Sequence, residues 1–305
     1  MTVIANSPRL RELIARDAQV QQIATGFKFT EGPVWHPDGY LLFSDIPGDV
    51  RRRWTEKDGI MEVMRPANMC NGLTLDADLN LIVCEHSTSR LVRARLADDG
   101  TETSREVIAT HYDGRELNSP NDVVVKSDGA IYFTDPTYGR MSGFGNPRDQ
   151  DLDFQGVYRL PGGGGPIELV VADFAQPNGL CFSPDESLLY INCSSECHIR
   201  VFDVQADGSL DGERRLIDDV GTGDIADGLP DGMKCDEQGN VWVTGPGGLW
   251  VVSAEGEHLG RIEVPEHVGN LAWGGSSWGT LYVPSSKSVY RIETKTRGAA
   301  TPHMR

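Results

Sequence analysis

The sequence predicts an all-β fold, a six-bladed β-propeller. Three observations carry that prediction. A hairpin pattern recurs six times, its copies start 39–57 residues apart, and the composition is rich in turn formers, with 35 Gly and 17 Pro. Four-stranded propeller blades repeat at this period. Closing six of them into a ring removes the exposed strand edges that an open sheet would present.

The pattern is clearest in Glu31–Asp45, EGPVWHPDGYLLFSD. It has an acidic residue, a short apolar strand, a Pro-Asp-Gly turn and a second apolar strand ending in a carboxylate. Variants open at Asn71 (NGLTLDADLNLIVCEH), Asn121 (NDVVVKSDGAIYFTDP), Asn178 (NGLCFSPDESLLYINCSS), Asp231 (DGMKCDEQGNVWVTGPG) and Asn270 (NLAWGGSSWGTLYVPSS). Each copy runs on into a third strand, such as VYRL (157–160), and usually a fourth, such as PIELVVA (166–172).

A single domain over 1–305 is expected, in three parts: a helical extension (1–19), the propeller (20–295) and a flexible tail (296–305). Within 8–18, Leu10, Leu13 and Ile14 recur at helical spacing and predict a short helix. The spare strand Val20–Phe27 is expected to complete the last blade beside SVYRIET (288–294) and so hold the ring shut.

A net charge of −17 argues against nucleic acid and anionic membrane as partners. No run of about 18 apolar residues is present, so no membrane-spanning helix is expected. The first twenty residues lack the apolar core of a signal peptide, and the six scattered cysteines form no CxxC pair. These features predict a cytoplasmic protein with reduced thiols, a monomer or homodimer.

Propeller geometry turns the phase of the repeats into a site. First strands line the central channel and second strands run antiparallel to them, so first-strand starts and second-strand ends share one face. All six copies open on an oxygen-bearing side chain: Glu31, Asn71, Asn121, Asn178, Asp231 and Asn270. One Asn-Gly reads as a turn before a strand. Six in phase, two of them acids, read as a ring of ligands for a hard cation such as Ca²⁺ or Mg²⁺, with Glu31 and Asp231 balancing its charge. The same mouth should receive Asp45, Glu85-His86, Asp135 and Cys193-Ser194. His86 is a candidate base or substrate contact, and Cys193 is either a nucleophile or a small buried residue. The Glu196–His198 pair is expected to be solvated. Asp38, Asp76, Asp128, Asp185 and Asp236 fall at the opposite end and read as turn formers. The long segment 136–155 should overhang the mouth as a lid or substrate wall.

On the segments EGPVW (31–35), SPNDVVVKSDGAIYFTDPTYG (119–139), QPNGLCFSPDESLLY (176–190) and DGMKCDEQGNVWV (231–243), the chain resembles the senescence-marker protein, gluconolactonase and luciferin-regenerating family. The likeness runs from about Ile23 to Thr294 and is greatest to the bacterial gluconolactonases. It implies a six-bladed propeller with one divalent metal, foremost Ca²⁺, with Mg²⁺, Mn²⁺ or Zn²⁺ also admitted. It implies metal ligands Glu31, Asn178 and Asp231, with Asn121 beside the metal and facing the substrate. The implied activity is hydrolysis of a sugar lactone such as glucono-1,5-lactone, in which the metal polarises the carbonyl. Asp231 would then either take a proton from water or accept its hydrogen bond.

Animal members bind sugar hydroxyls with an Arg and a Glu, whose positions here hold Ser119 and the Tyr138-Gly139 region. Substrate-contact candidates are therefore Asn121, Asn71, Ser119, Tyr138 and His86, backed by Asp45, Asp135 and Asn270. The alternatives are a paraoxonase-like lactonase or esterase, a strictosidine-synthase-like condensing enzyme and a non-enzymatic calcium-binding propeller.

Overall fold

Each predicted hairpin forms and extends into an antiparallel sheet. The computed structural model describes residues 2–304. Blade one comprises Thr30–His36, Tyr40–Asp45, Val50–Thr55 and Gly59–Met64. Blades two, three and four repeat this order over 70–109, 123–174 and 177–217. Blade five (233–263) gains a fifth strand, Val3–Ala5, on its outer edge. Blade six (272–293) is completed by Gln21–Thr25, paired with Ser288–Glu293. The predicted N-terminal strand thus closes the ring, and the fold is a six-bladed propeller.

Tyr40–Asp45 and Leu81–Glu85 are buried along their whole length. Blades stack face to face, so inner strands are apolar on both faces. Leu42 of blade one packs with Leu73 and Val83 of blade two in one such layer.

Blade boundaries are also locked by polar groups. Ser44 Oγ donates to Asn71 O (2.7 Å), Thr134 Oγ1 to Asn178 O (2.8 Å) and Asn192 Nδ2 to Asp231 O (2.6 Å). The backbones approach so closely that a Cβ on Gly72 would lie 2.5 Å from Asn121 O, and one on Gly179 would lie 2.1 Å from Asp231 O. The Asn-Gly signature therefore has a packing half, glycine, and a site half, asparagine.

Three parts of the chain depart from expectation. The helix is a single turn, Leu10–Leu13, because Ile14 turns extended (φ −145°) to reach the edge of blade six. Leu10, Leu13 and Ile14 are all buried against blades five and six. Val3–Ala5 pairs with a strand about 260 residues away, which no local pattern announces. The tail is not free: Ala299 N donates to Cys235 O and Glu237 N to Arg297 O, both at 2.9 Å, and Pro302 is buried. It covers apolar first-strand side chains at the lower mouth, including Trp35, Leu73 and Trp273. Arg305, the last residue of that predicted tail, lies outside the described residues.

At this lower end, Asp76, Asp128, Asp185 and Asp236 each accept backbone N–H groups two residues on, as turn formers do. Among the described residues no helix is long and apolar enough to cross a membrane.

Candidate functional site

Strand register brings the predicted groups to one mouth. Thr30 pairs with Asp45, Cys70 with Glu85 and Pro177 with Cys193, each one residue before a ring position. A cavity of about 340 Å³ opens there, with Glu31, Asn71, Asn121, Asn178 and Asp231 on its floor. Its walls are mainly apolar: Phe29, Ile46, Met141, Phe144, Ile225 and Leu229.

Asn270, the sixth ring residue, stands behind Glu31 and donates Nδ2 to Glu31 Oε2 (2.9 Å), which Gly32 N also meets (2.6 Å). Glu31 Oε1 is buried with no hydrogen-bond partner. Asn178 Nδ2 donates to Ser194 Oγ (2.9 Å), and Ser194 Oγ donates to Pro230 O (2.6 Å).

Burial is the largest cause that raises the carboxyl groups of both Glu31 and Asp231, and Asp122 adds to it in each. Asp231 is raised further by the facing Glu31 carboxylate. Two carboxylates that repel one another in a dry site call for a cation.

Asn71 organises the far side. Its Nδ2 donates to Asn121 Oδ1 (2.9 Å) and lies 3.3 Å from His86 Nε2. His86 Nδ1 lies 2.9 Å from Phe144 O, in the overhanging segment. One tautomer satisfies every partner: Nδ1–H donates to Phe144 O, and Nε2 accepts from Asn71. Burial pushes His86 down to about 4, so it is neutral and its lone pair is spent. His86 lines the cavity but serves as a strut for Asn71, not as a free base.

Asp45 and Asp135 stay outside the cavity and play matching parts. Asp45 Oδ1 accepts from the backbone N–H of Lys28 (3.0 Å) and Phe29 (3.3 Å), just before Glu31. Asp135 accepts from Asn118 N (2.8 Å) and Ser119 N (2.7 Å), just before Asn121. Each ties the approach to a ring residue.

Ser119, expected to touch substrate, is fully buried and absent from the cavity wall. Its Oγ donates to Pro136 O (2.6 Å) and accepts from Gly139 N (2.9 Å), so it anchors the lid. Tyr138 does line the cavity, and its hydroxyl pairs with Ser194. Cys193 is buried in an apolar cluster. His198 is 2% exposed and stacks on Phe174, so of the predicted solvated pair only Glu196 is exposed. The ligand atoms of Cys193, Glu196 and His198 lie within 4.8 Å of one another.

The lid is ordered by a buried arginine. Arg140 donates to Asn118 O (2.9 Å) and Leu117 O (2.7 Å) and pairs with Glu116 (2.9 Å). Lid Phe144 meets Phe29 of blade one edge-on at 5.3 Å. Arg140→Met is expected to cost about 2–4 kcal/mol, because Leu117 O loses its donor, Asn118 O keeps only Ser89 Oγ, and Glu116 loses an ion-pair partner. It should also raise KM more than it lowers kcat. Denaturant unfolding and steady-state kinetics check both effects.

Sequence reasoning passed over Asp122, Lys234, His267 and the 225–229 segment. Asp122 is buried with Oδ2 lacking a hydrogen-bond partner, and Lys234 Nζ lies 3.7 Å from it. A signal existed: Lys234 is a charge in the middle of the short first strand Met233–Cys235, and Asp122 is a charge immediately before the apolar first strand Val123–Val125.

The ring fits a hard divalent cation. It presents side-chain oxygens, one of them a buried Glu31 carboxylate oxygen without a partner, and its two carboxylates, with Asp122 beside them, lie near the Lys234 ammonium. Such a floor beneath an overhanging lid defines a ligand-binding propeller.

Residues 29–287 match the SMP-30/Gluconolactonase/LRE-like region. The chain belongs to this family and is a hydrolase of its gluconolactonase type. A gluconolactonase from Zymomonas mobilis is 33% identical over 96% of this chain and 86% of its own. A pentonolactonase from Haloferax volcanii is 26% identical over 87% of this chain and 84% of its own. The solved structure of a gluconolactonase from Xanthomonas campestris has a TM-score of 0.86 at 29% identity, covering 96% of this chain and 95% of its own.

Proposed function

We propose that the protein is a metal-dependent hydrolase that opens a sugar lactone such as glucono-1,5-lactone to its aldonic acid. Glu31, Asn178 and Asp231 would hold one divalent ion, foremost Ca²⁺. The observation that carries this reading is Glu31 Oε1, a buried and unpartnered acceptor in a ring of carboxylates and amides that also contains Asp231. The lactonase names of the relatives supply the substrate class.

When bound, such an ion supplies Lewis-acid polarisation of the lactone carbonyl. The chain's own residues do the rest. Asn71 fixes the Asn121 amide by donating to its oxygen, which leaves the Asn121 Nδ2 free to donate to the oxyanion as the carbonyl becomes tetrahedral. Asp231 accepts the proton of the attacking water. Asn270 holds Glu31 in place. The lid walls, pinned by Arg140, exclude bulk water.

Chelation followed by dialysis is expected to lower kcat/KM for glucono-1,5-lactone about 100-fold, and added Ca²⁺ should restore it. Full activity in chelator would remove the metal from the mechanism and favour a condensing-type site. The apolar walls favour a second reading, a lactone or ester bearing an alkyl or aryl arm, as in a paraoxonase-like enzyme. Comparing kcat/KM for glucono-1,5-lactone, an acyl-homoserine lactone and an aryl ester separates the two. No turnover of any of them, with tight Ca²⁺ binding, would leave a calcium-binding propeller.

A further inference from the structure

Beneath the ring, the channel holds one ammonium. Lys234 lies in the first strand of blade five, three residues past Asp231, and its stem lines the lower cavity. Its Nζ lies 3.0 Å from Met233 O, 3.5 Å from Asn270 Oδ1 and 3.7 Å from Asp122 Oδ2. Among the described residues, no other Lys or Arg lines the cavity at either mouth.

Each neighbour leads back to the ring. Asn270, whose Oδ1 accepts from Leu271 N (2.8 Å) and from Lys234, donates through Nδ2 to Glu31 Oε2. Asp122 Oδ1 is held by Val123 N (2.9 Å), while its buried Oδ2 faces Lys234 beyond hydrogen-bond reach.

The charges decide what this arrangement does. With all three carboxylates ionised, Glu31, Asp122 and Asp231 would carry three negative charges against one positive on Lys234, so two would remain for a cation to balance. An ammonium fixed in the same low-dielectric channel competes with any cation for those carboxylates. Together with Leu271 N, it also holds the Asn270 amide oxygen so that the amide N–H points at Glu31.

Resting on the reading of the ring as a cation site, we infer that Lys234 is a positioning residue that sets the charge selectivity of the ring. It trims the field to suit a divalent ion over a trivalent one and, through Asn270, aims Glu31.

Two substitutions of opposite sign test this. Lys234→Met keeps the stem that covers the lower cavity and removes the charge. It is expected to tighten Ca²⁺ binding about tenfold by calorimetry, and Tb³⁺ binding by more, since the interaction scales with ion charge. Asp122→Asn is expected to weaken Ca²⁺ about tenfold, and the double variant should return towards wild type.

A merely structural Lys234 would weaken both ions, and a Ca²⁺ affinity in Lys234→Met that is unchanged or reduced overturns the inference. If that variant does not fold, Lys234→Gln keeps a donor for Asn270 and reads the same charge effect under the same criteria. Wild-type protein that binds neither ion overturns the ring reading and this inference together. Wild-type binding without the opposed shifts overturns this inference alone.

Discussion

Asp231→Asn is expected to lower kcat for lactone hydrolysis by about 10³-fold while leaving a cation in the ring. The substitution keeps the side-chain volume and one oxygen donor, so the floor of the cavity stays filled. What it removes is the proton acceptor. Asp231 is suited to that task because burial, Glu31 and Asp122 all raise its carboxyl above the ordinary range. A carboxylate with that affinity for protons is a better base than a solvated aspartate, and a bound cation tempers the rise. Asp231→Ala should cost at least as much in kcat and should also weaken Ca²⁺, because a ligand is lost. Glu31→Gln is the contrast: its larger effect should fall on Ca²⁺ affinity, with kcat recovering at saturating metal. Single-turnover rates and calorimetric Ca²⁺ titrations on the three variants separate these roles. An Asp231→Asn enzyme that turns over at wild-type rate with metal bound would exclude Asp231 as the base.

The ring was legible because propeller geometry converts sequence phase into position. Glu31 alone is an acid before a strand. Aligned with five other openings, it becomes one of six residues at a single mouth, and the register confirms that second-strand ends return there. The strand that closes the ring was legible for the same reason, since one copy lacked an outer strand and the N-terminus had one to spare.

What escaped was whatever depends on side-chain direction or on contacts across the whole chain. Ser119 sits at a position that faces substrate in animal relatives. Here its hydroxyl is consumed by the lid backbone at Pro136 and Gly139. His86 reads from sequence as either a base or a hydrogen-bonding residue, and only the structure decides for the second, with both nitrogens engaged, one by a carbonyl 58 residues away. Val3–Ala5 and the 296–304 tail carry too little pattern to announce their docking, because their partners are the edge and the lower mouth of a finished ring. Lys234 and Asp122 could have been found as charges in or just before channel-lining strands, though their pairing needed the ring closed.

Asp135 gives the largest expected effect on stability, and its sign can be worked out. It is fully buried, and its two oxygens each accept a backbone N–H from the segment that delivers Asn121. Asp135→Ala strands both donors in a site that water does not reach, at an expected cost of about 3–5 kcal/mol. Asn121 should lose its set position as well, so kcat should fall along with stability.

Asp135→Asn removes the titration at the pH-independent cost of one acceptor, so the pH dependence of the difference isolates the charge. Burial is the main cause that lifts the Asp135 carboxyl to about 7, against 3.8 for an unperturbed aspartate; the two backbone bonds oppose that rise without cancelling it. Between these values the folded chain holds a proton that the unfolded chain has released. Stability from this group is therefore fully present below about pH 4 and is lost as pH climbs towards 7. The full span corresponds to about 4 kcal/mol at 1.36 kcal/mol per unit. Asparagine cannot titrate, so the stability of wild type relative to Asp135→Asn should fall steadily over that window and level off above it. Denaturant midpoints taken at intervals from pH 4 to pH 8 would show the slope. A difference that stays flat, or one that grows with pH, would mean that the two N–H donors outweigh burial and that Asp135 is ionised throughout.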